Sequence, residues 1–393
     1  MKKLEDLDLT DKLVLIRADL NVPLDRERKI TETHRIERFL PTLRYILQNG
    51  GRAVVMSHLG RPLGRYDPAC SLAPIAQKLG ELLQSEVKLA PDCIGPETEA
   101  IARQLGRGQT LLLENLRFHA GERTNDPAFA SRLAKLGQVY VNDAFATAHR
   151  AHASVVGVAR HFQHKAPGLL MQKELEFHAR FLVQPKRPLC VILGGIKTAG
   201  QLHALLKISE QADKVIMGGS IANTFLAAQG VQMGHSVYEP ELFSKVLELL
   251  GHLMRRGCKT YLPVDFRIGN SPKSKGIARD VTAQELPPET MALDIGPATS
   301  ILYDEAVKSA ETIIWNGPMG IMDNDDYAQG TTDLIQSLAG AHGTTAAGGV
   351  DTVRAIRGME LQHRFDHIST GGTSLLSLLE GKQLPGFQAL EKE

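Results

Sequence analysis

LGGIKTAGQLHALL, residues 193–206, joins a short apolar run to a segment with helical periodicity. The apolar run at 189–193 predicts a buried parallel strand, and the apolar positions from Leu202 to Ile208 predict a helix after a glycine turn. In α/β sheets, phosphate binds where a strand, a glycine turn and a helix N-terminus follow one another, because backbone N–H groups and the helix dipole are free there. Lys197 inside the turn can place a positive charge on the same anion. An ordinary turn with a solvated lysine explains these residues equally well, so the stretch alone leaves both interpretations open.

Alternation of apolar runs with amphipathic segments extends through the whole chain and predicts two mostly parallel, helix-covered sheets. The predicted strands are 13–16, 53–56, 110–113, 139–141, 189–193, 214–217, 260–262, 312–315, 345–347 and 367–370. Helical segments in the first half are expected at 35–48, 72–83, 97–105 and 128–136. Pro41 predicts that the first of these helices begins there or is kinked.

The middle of the chain reads as a connector between two domains. Residues 169–182 predict one long helix, and glycine and proline residues flank it on both sides. A length of 393 residues also favours two domains. We therefore expect an N-terminal lobe at 1–168, a connector helix at 169–183, a C-terminal lobe at 184–370 and a C-terminal segment at 371–393.

Composition and charge exclude several classes of function. The 45 basic and 44 acidic residues leave a net charge of +1, so no overall field favours nucleic acid or a membrane surface. The four cysteines are far apart and form no CxxC pair, which suggests neither a zinc site nor a disulfide framework, and Cys190 is expected to be a buried free thiol. The N-terminal segment lacks an apolar signal region and no run is long enough to span a membrane, so we expect a cytoplasmic protein.

Glycines follow most of the predicted strands in the second half, at Gly218-Gly219, Gly317, Gly348-Gly349 and Gly371-Gly372. Their recurrence indicates a phosphate- or nucleotide-binding face, although tight turns that need a positive φ remain the alternative. The chain contains neither G-x-x-x-x-G-K-[ST] nor G-x-G-x-x-G after a strand, which disfavours a P-loop enzyme and a dinucleotide dehydrogenase.

Basic and polar residues follow the predicted strands of the first half. Because the carboxyl ends of parallel strands meet at one sheet edge, we expect a pocket for a small polyanion there, gripped by guanidinium groups. The set comprises Arg17, Asp19, Asn21, Arg35, His58, Arg61, Arg117 and Arg150. His149 and His152 belong to it or are satisfied core histidines, and Asp19 and Asn21 fix orientations or form turns. An anion lobe and a phosphate lobe joined by a helix suggest phosphoryl transfer between bound substrates.

At these residues the chain resembles the phosphoglycerate kinase family along essentially its whole length. The matching stretches are LIRADLNVPLD (15–25), SHLGRP (57–62), LLENLRF (112–118), YVNDAFATAHRAHAS (140–154), GLLMQKEL (168–175), GGIK (194–197), LDIGPAT (293–299), WNGPMG (315–320), ISTGG (368–372) and LEGKQLPGFQAL (379–390). The resemblance implies an α/β fold with two Rossmann-like lobes, each a helix-covered mostly parallel sheet, joined by a connector helix with a cleft between them. The C-terminal segment is expected to pack back on the N-terminal lobe.

The resemblance also implies a reaction and the residues that serve it. Family members transfer a phosphoryl group between 1,3-bisphosphoglycerate and ADP, giving 3-phosphoglycerate and Mg²⁺-bound ATP. The implied 3-phosphoglycerate pocket comprises Asp19, Asn21, Arg35, His58, Arg61, Arg117 and Arg150, with Arg35 and Lys197 catalytic. The implied nucleotide site comprises Gly194, Gly195, Lys197, Gln201, Gly218, Asn316, Pro318, Asp323, Gly348, Gly349, Val350, Asp351, Thr352, Gly371 and Gly372, with Asp351 contacting Mg²⁺. The attacking carboxylate is ionised at neutral pH, so no general base is needed, and we expect a monomer without nucleic-acid or membrane partners.

Departures from the family pattern lie mostly on the nucleotide side. Gln201 stands where the family has a second phosphate-contacting lysine, and Asp323 replaces a ribose-contacting glutamate. Val350 and Thr373 replace glycines and can present N–H groups to phosphate only if their φ angles are negative. The sequence therefore predicts an active phosphoglycerate kinase with an altered phosphate site. A catalytically inactive binding paralogue and a kinase for another carboxylate acceptor are the alternatives.

Overall fold

The structure of the chain is a computed structural model that describes residues 1–196, 198–276 and 278–391. Its contacts divide the chain into two compact units. The first contains Met1–Glu176 and residues 383–391, and the second is Phe177–Lys382. Residues 371–382 thus belong to the second unit. Among the described residues, no helix is both long enough and apolar enough to span a membrane.

The first unit is built on a parallel sheet whose described strands lie in the order β3-β4-β2-β1-β5-β6. These strands are β1 (Leu13–Arg17), β2 (Arg52–Met56), β3 (Val87–Leu89), β4 (Thr110–Leu112), β5 (Val139–Asn142) and β6 (Lys165–Pro167). Side chains alternate across the sheet, so that Leu13 and Leu15 enter one core cluster while Val14 and Ile16 enter the other. A sheet buried on both faces in this way places its strand ends, not its faces, within reach of a ligand.

Helices cover both faces of this sheet. They are α1 (His34–Gln48), α2 (Ala73–Leu83), α3 (Pro96–Arg103), α4 (Ala120–Thr124) and α5 (Pro127–Ala134). Of the two alternatives predicted for Pro41, a helix start there is wrong, because α1 begins at His34 and continues through the proline, while a kink stays a prediction. Leu40, Leu43 and Ile46 of this helix are buried, and their packing offsets the backbone hydrogen bond that a proline cannot donate.

The connector predicted as one helix over 169–182 is α-helical only in its first part. Helix α6 (Leu169–Phe177) is followed by a wider π-helical segment, His178–Val183, and the boundary between the two units falls at the end of α6. Within the second unit the Phe177 ring stacks on His367, with 4.4 Å between ring centroids. The helical path therefore runs on to Val183, but with a change of pitch at His178.

The second unit contains two sheets. Its strands are β7 (Leu189–Leu193), β8 (Lys214–Met217), β9 (Lys259–Tyr261), β10 (Asp265–Gly269), β11 (Arg279–Thr282), β12 (Met291–Ile295), β13 (Thr312–Asn316), β14 (Thr344–Gly348) and β15 (His367–Ile368). In the described part of the chain, a parallel sheet has the order β15-β14-β13-β7-β8-β9, and β11-β10-β12 form a smaller antiparallel sheet that the sequence analysis did not predict. Cys190 on β7 is a buried free thiol, as expected.

The remaining helices pack around these sheets. They are α7 (Thr198–Ile208), α8 (Gly219–Ala228), α9 (Phe243–Arg255), α10 (Pro297–Lys308), α11 (Gln329–Ala339), α12 (Val350–Gly358), α13 (Gly372–Leu379) and α14 (Pro385–Glu391). Helix α14 belongs to the first unit, where the Gly386 N–H donates to the Ala148 carbonyl at 2.9 Å and the Phe387 ring stacks on Phe145. Segments far apart in sequence thus complete one hydrophobic core.

Candidate active site

Polar residues at the strand ends of the first unit form one connected network. Asp19, just beyond β1, accepts a charge-assisted hydrogen bond from the Arg35 guanidinium near the start of α1. Asn21 Oδ1 accepts from the Gly60 N–H at 2.9 Å, and the Gly60 carbonyl accepts from Arg117 Nη1 at 2.7 Å. The loops after β1, β2 and β4 are therefore fixed relative to one another by the side chains predicted to bind substrate.

His58, at the end of β2, is held in a defined protonation state. Arg17 Nη2 lies 3.2 Å from His58 Nδ1, and a guanidinium can only donate, so Nδ1 must be the acceptor. Burial, together with the nearby guanidinium groups of Arg17, Arg117 and Arg35, lowers the pKa of His58 well below its usual range. His58 is consequently neutral and carries its proton on Nε2.

Arg17 is also linked, through Ser154, to the buried acid Glu122, which was not predicted from the sequence. Arg17 Nε donates to Ser154 Oγ at 2.8 Å, and Ser154 Oγ donates to Glu122 Oε1 at 2.6 Å. Glu122 is 1% exposed and also accepts from the Ser154 N–H, while the Tyr140 hydroxyl donates to the Ser154 carbonyl. Glu122 lies in a helical segment without a recognisable motif, so its role follows only from the fold.

The guanidinium groups near this network are crowded. The pKa of Arg117 falls to about 10, because its side chain is half-buried and the positive charges of Arg17 and Arg150 are close. Such crowding is unfavourable unless an anion neutralises it, and guanidinium forks bind carboxylate and phosphate with two parallel hydrogen bonds. The arrangement is thus suited to a small polyanion.

The other predicted residues of this unit lie at the margin of the network. Arg61 is exposed one residue beyond Gly60, and Arg150 is exposed with its Nε 3.0 Å from His149 Nε2. His152 is buried, with Nδ1 3.7 Å from Glu122 Oε1, which matches the alternative of a core histidine. Burial and the surrounding arginines lower the pKa of His152 to about 3, so it is neutral.

In the second unit, the glycine-rich loops after β7, β8 and β13 are joined by backbone hydrogen bonds. Gly194 N–H donates to the Asn316 carbonyl at 3.0 Å, and Gly195 N–H donates to the Pro318 carbonyl at 2.7 Å. Gly317 has φ +98°, and a Cβ there would lie 2.0 Å from the Gly194 carbonyl oxygen. Gly218 donates to the Leu193 carbonyl, completing the row of loops. Gly194 and Gly317 are therefore required for close backbone approach, whatever ligand the loops bind.

The loop after β7 carries two residues of particular interest. Lys197 lies outside the described residues. Gln201 on α7 is 4% exposed, and its Nε2 donates to the Gly194 carbonyl. Within the part of the chain that the structure describes, the Gln201 Oε1 atom is buried and has no hydrogen-bond partner. The glutamine thus folds onto its own loop and contributes no positive charge.

The loops after β13 and β14 carry further groups that can donate to a ligand. Asn316, 5% exposed at the end of β13, has a buried Nδ2 without a hydrogen-bond partner among the described residues. Thr352 Oγ1 accepts from the Gly317 N–H at 3.0 Å and so joins α12 to the same loop. The first N–H groups of α12 and α13, which follow Gly349 and Gly371, have no partner within their helices. Neither Val350 nor Thr373 is among the described residues with positive φ, so both can present these N–H groups without backbone strain.

An arginine that was not predicted connects two of the predicted acids. Arg354 Nη2 donates to Asp323 Oδ1 and to Asp351 Oδ1, both at 3.0 Å. Asp351, the second residue of α12, has a largely exposed carboxylate beside the free N–H groups of that helix. Proteins hold Mg²⁺ through one or two carboxylates and substrate phosphates, and one accessible carboxylate at the start of a helix is compatible with such a site. The only sequence signal for Arg354 is its position three residues after Asp351 on a helix.

An apolar pocket of about 100 Å³ adjoins the glycine loops of the second unit. It lies between the loop residues Gly219, Pro318 and Met319 and the antiparallel-sheet residues Phe266 and Leu293. The pocket could not be predicted from the sequence, because about a third of its lining residues belong to the unpredicted antiparallel sheet. An apolar cavity beside backbone N–H groups at the starts of helices is suited to a nucleobase.

The fold and the two residue sets define a class of phosphotransferase that holds a small polyanion and a nucleotide without a P-loop. Comparisons with known proteins identify the family within this class. A family model described as "Phosphoglycerate kinase" matches residues 4–382. The phosphoglycerate kinase of Desulfotalea psychrophila is 46% identical over 391 residues, covering 100% of both chains, and that of Desulfosudis oleivorans is 44% identical, covering 100% of this chain and 99% of the relative.

Comparison with solved structures supports the same family. The phosphoglycerate kinase of Coxiella burnetii superposes with a TM-score of 0.87 at 36% identity, covering 99% of this chain and 98% of that one. The enzyme from Pyrococcus horikoshii OT3 gives a TM-score of 0.88 at 31% identity, covering 100% and 98%. The chain belongs to the phosphoglycerate kinase family. The family and the α/β fold expected from the sequence motifs are thereby confirmed.

Proposed function

We propose that this chain catalyses reversible phosphoryl transfer from the acyl phosphate of 1,3-bisphosphoglycerate to ADP, giving 3-phosphoglycerate and ATP. Membership of the family supports the reaction, and the site residues support the substrates. The observation that carries the proposal is the crowded guanidinium cluster around Arg117, whose pKa is lowered to about 10 by burial and by neighbouring positive charge. A bound polyanion relieves this repulsion.

In the proposed first-unit site, arginine side chains bind the carboxylate and phosphate of 3-phosphoglycerate. Asp19 orients the Arg35 guanidinium, which stabilises the transferring phosphoryl group as negative charge spreads over its oxygens. His58 donates from Nε2 to the substrate, because Arg17 occupies its Nδ1. Asn21, Arg61, Arg117 and Arg150 complete the pocket. The acceptor carboxylate is already ionised, so positioning and charge neutralisation suffice.

In the proposed second-unit site, the phosphates of ADP or ATP bind the N–H groups of the glycine loops and the start of α12, and the base fills the apolar pocket. Asn316 Nδ2, buried without a described partner, donates to a phosphate oxygen. Lys197 supplies the positive charge of the loop after β7, and Asp323 contacts the ribose. Asp351 would hold Mg²⁺ together with nucleotide phosphates, and the ion would neutralise phosphate charge when bound.

The test is a coupled assay with 3-phosphoglycerate and Mg-ATP, run beside calorimetric titrations of each substrate. We expect turnover well above background in the wild type. Arg35→Ala should remove nearly all turnover and leave Mg-ADP affinity unchanged, because Arg35 belongs to the first unit. Arg38 on the same helix offers a matched control, and Arg38→Ala should retain turnover. Background turnover in the wild type would refute the activity, and near-normal turnover of Arg35→Ala would refute the assignment of Arg35.

We further propose that the protein is cytoplasmic, as expected from the sequence. We also propose that it is a monomer, since each of the two residue sets comes from a single chain. Light scattering after gel filtration measures the mass directly, and a mass of about 43 kDa is expected from the 42.9 kDa chain. A stable dimer would contradict it.

A further inference from the structure

Three potential metal ligands of different chemistry meet in the first unit, outside the residues assigned above. Asp92 and Cys93 lie between β3 and α3, and His119 immediately precedes α4. One carboxylate oxygen, the Cys93 Sγ and one imidazole nitrogen all lie within 4.8 Å of one another. This is the one group of three such ligands found in the part of the chain that the structure describes.

The side chains are already directed toward a common point. His119 Nε2 lies 2.7 Å from Asp92 Oδ1, so the imidazole nitrogen faces the carboxylate. The Cys93 N–H also donates to Asp92 Oδ1, at 2.6 Å, which fixes the rotamer of the aspartate. Ligands that already converge favour cation binding, because they lose less conformational entropy than freely rotating side chains when the ion arrives.

The surrounding structure holds each ligand in place. Cys93 is fully buried in a core cluster, and the His119 ring stacks on Phe129 with 5.3 Å between centroids. The Asp92 carbonyl accepts from Thr98 Oγ1 at 3.0 Å, which ties the loop to the first turn of α3. The Asp92 and His119 side chains are 42% and 29% exposed, so an ion can enter from solvent and keep a water ligand.

We propose that Asp92, Cys93 and His119 form a binding site for a divalent cation of the zinc type. One sulfur, one nitrogen and one oxygen ligand suit Zn²⁺ or Co²⁺, whereas a thiolate disfavours Mg²⁺. On binding, the Cys93 thiol releases its proton to solvent and its sulfur bonds to the metal. The thiolate and carboxylate charges then balance the ion, with a neutral imidazole as third ligand and water as fourth.

The cysteine spacing in the sequence gives no sign of this site, because its ligands come from two segments that the β3–β4 sheet edge brings together. His119 lies two residues from Arg117, on the same turn. An ion at this site would therefore join the loop before α3 to the turn that carries a proposed substrate ligand.

The test is titration of the metal-free full-length protein with Co²⁺, followed by thiolate-to-cobalt charge-transfer absorption and by competition with Zn²⁺. We expect one equivalent of Co²⁺ to produce the band and Zn²⁺ to abolish it. Cys93→Ala should eliminate the band, and His119→Asn and Asp92→Asn should each weaken Co²⁺ binding at least about tenfold. Cys70→Ala is the matched control: its thiol also lies near an aspartate, Asp67, yet the band should be unchanged.

Absence of the band in the wild type overturns the proposal, as does a band that persists in Cys93→Ala or disappears in Cys70→Ala. Circular dichroism checks the fold of each variant. If Cys93→Ala does not fold, His119→Asn decides, because it changes a part-exposed side chain and leaves the buried thiol in place. Unaltered Co²⁺ affinity in a folded His119→Asn protein likewise overturns the proposal.

Discussion

Gln201→Lys tests how far one missing charge limits nucleotide binding. In the wild type the glutamine is 4% exposed, donates to the Gly194 carbonyl and leaves its Oε1 atom without a described partner. A lysine can still donate to Gly194, has no acceptor to leave unpaired, and adds a positive charge beside the loop proposed to bind phosphate. A charge-assisted hydrogen bond contributes about 1.5–3 kcal/mol, so Mg-ADP should bind about 10- to 150-fold more tightly.

Gln201→Lys should also lower the stability of the protein when no nucleotide is bound. An ammonium group at a nearly buried position loses hydration, which destabilises the second unit until phosphate neutralises it. Gln201→Lys should therefore melt at a lower temperature than wild type alone, and gain more stability than wild type from saturating Mg-ADP.

Calorimetry and thermal melting with and without Mg-ADP measure both effects. Gln201→Met is the control, because it removes the unpaired oxygen and the hydrogen bond without adding charge. Equal Mg-ADP affinity in wild type and Gln201→Lys would refute the reasoning. Equal gains in the lysine and methionine variants would show that relief of the buried oxygen, rather than charge, is responsible.

Three further predictions concern buried polar groups. Ser154→Ala removes a hydroxyl with two buried partners and should lower the stability of the first unit by about 2–6 kcal/mol, as measured by amide hydrogen exchange. The control Ser300→Ala should be nearly neutral, because that buried hydroxyl has no described partner, and similar costs for the two variants would contradict the prediction. Burial raises the pKa of Asp294 to about 7, so between about pH 4 and pH 7 the native state binds more protons than the unfolded state. The free energy of unfolding of the second unit, measured by amide hydrogen exchange, should therefore fall over this range by up to about 1.4 kcal/mol per pH unit, and a flat profile would exclude a raised pKa at Asp294. Arg17→Lys should allow both neutral tautomers of the His58 imidazole, which ¹⁵N NMR detects, and should weaken 3-phosphoglycerate binding about tenfold. A variant in which His58 keeps its proton only on Nε2 and binds 3-phosphoglycerate as the wild type does would argue against a positioning role for Arg17.

The regular elements that the sequence predicted are those with continuous apolar runs. Strands β1, β7 and β13 are buried along their whole length and flanked by strands on both sides, so composition alone identifies them. The two edge strands of the first sheet escaped prediction, because β3 has an exposed lysine at its centre and β6 ends in a proline. The polar β11 forms a strand because it pairs with β10, a tertiary effect that no local pattern reveals.

For the site, the sequence supplied residues that match family motifs, and the structure supplied their partners. Arg35, Asp19 and His58 were identified from strand ends and resemblance. Glu122 and Arg354 were not, because each acts through a contact with a residue distant in sequence or one helical turn away. Whether the predicted residues bind the proposed ligands stays a prediction for the assays above.

The first unit is discontinuous: its sheet comes from Met1–Glu176, while α14 returns to it only after the whole second unit. During synthesis, at about 5–20 residues per second, the intervening chain takes on the order of 10–40 s to appear. Until then the surface that receives α14, which includes Phe145, Ala148 and Val155, stays uncovered on the nascent chain. The order of translation thus separates the first unit from its own last helix, and an apolar patch is available to chaperones in the interval.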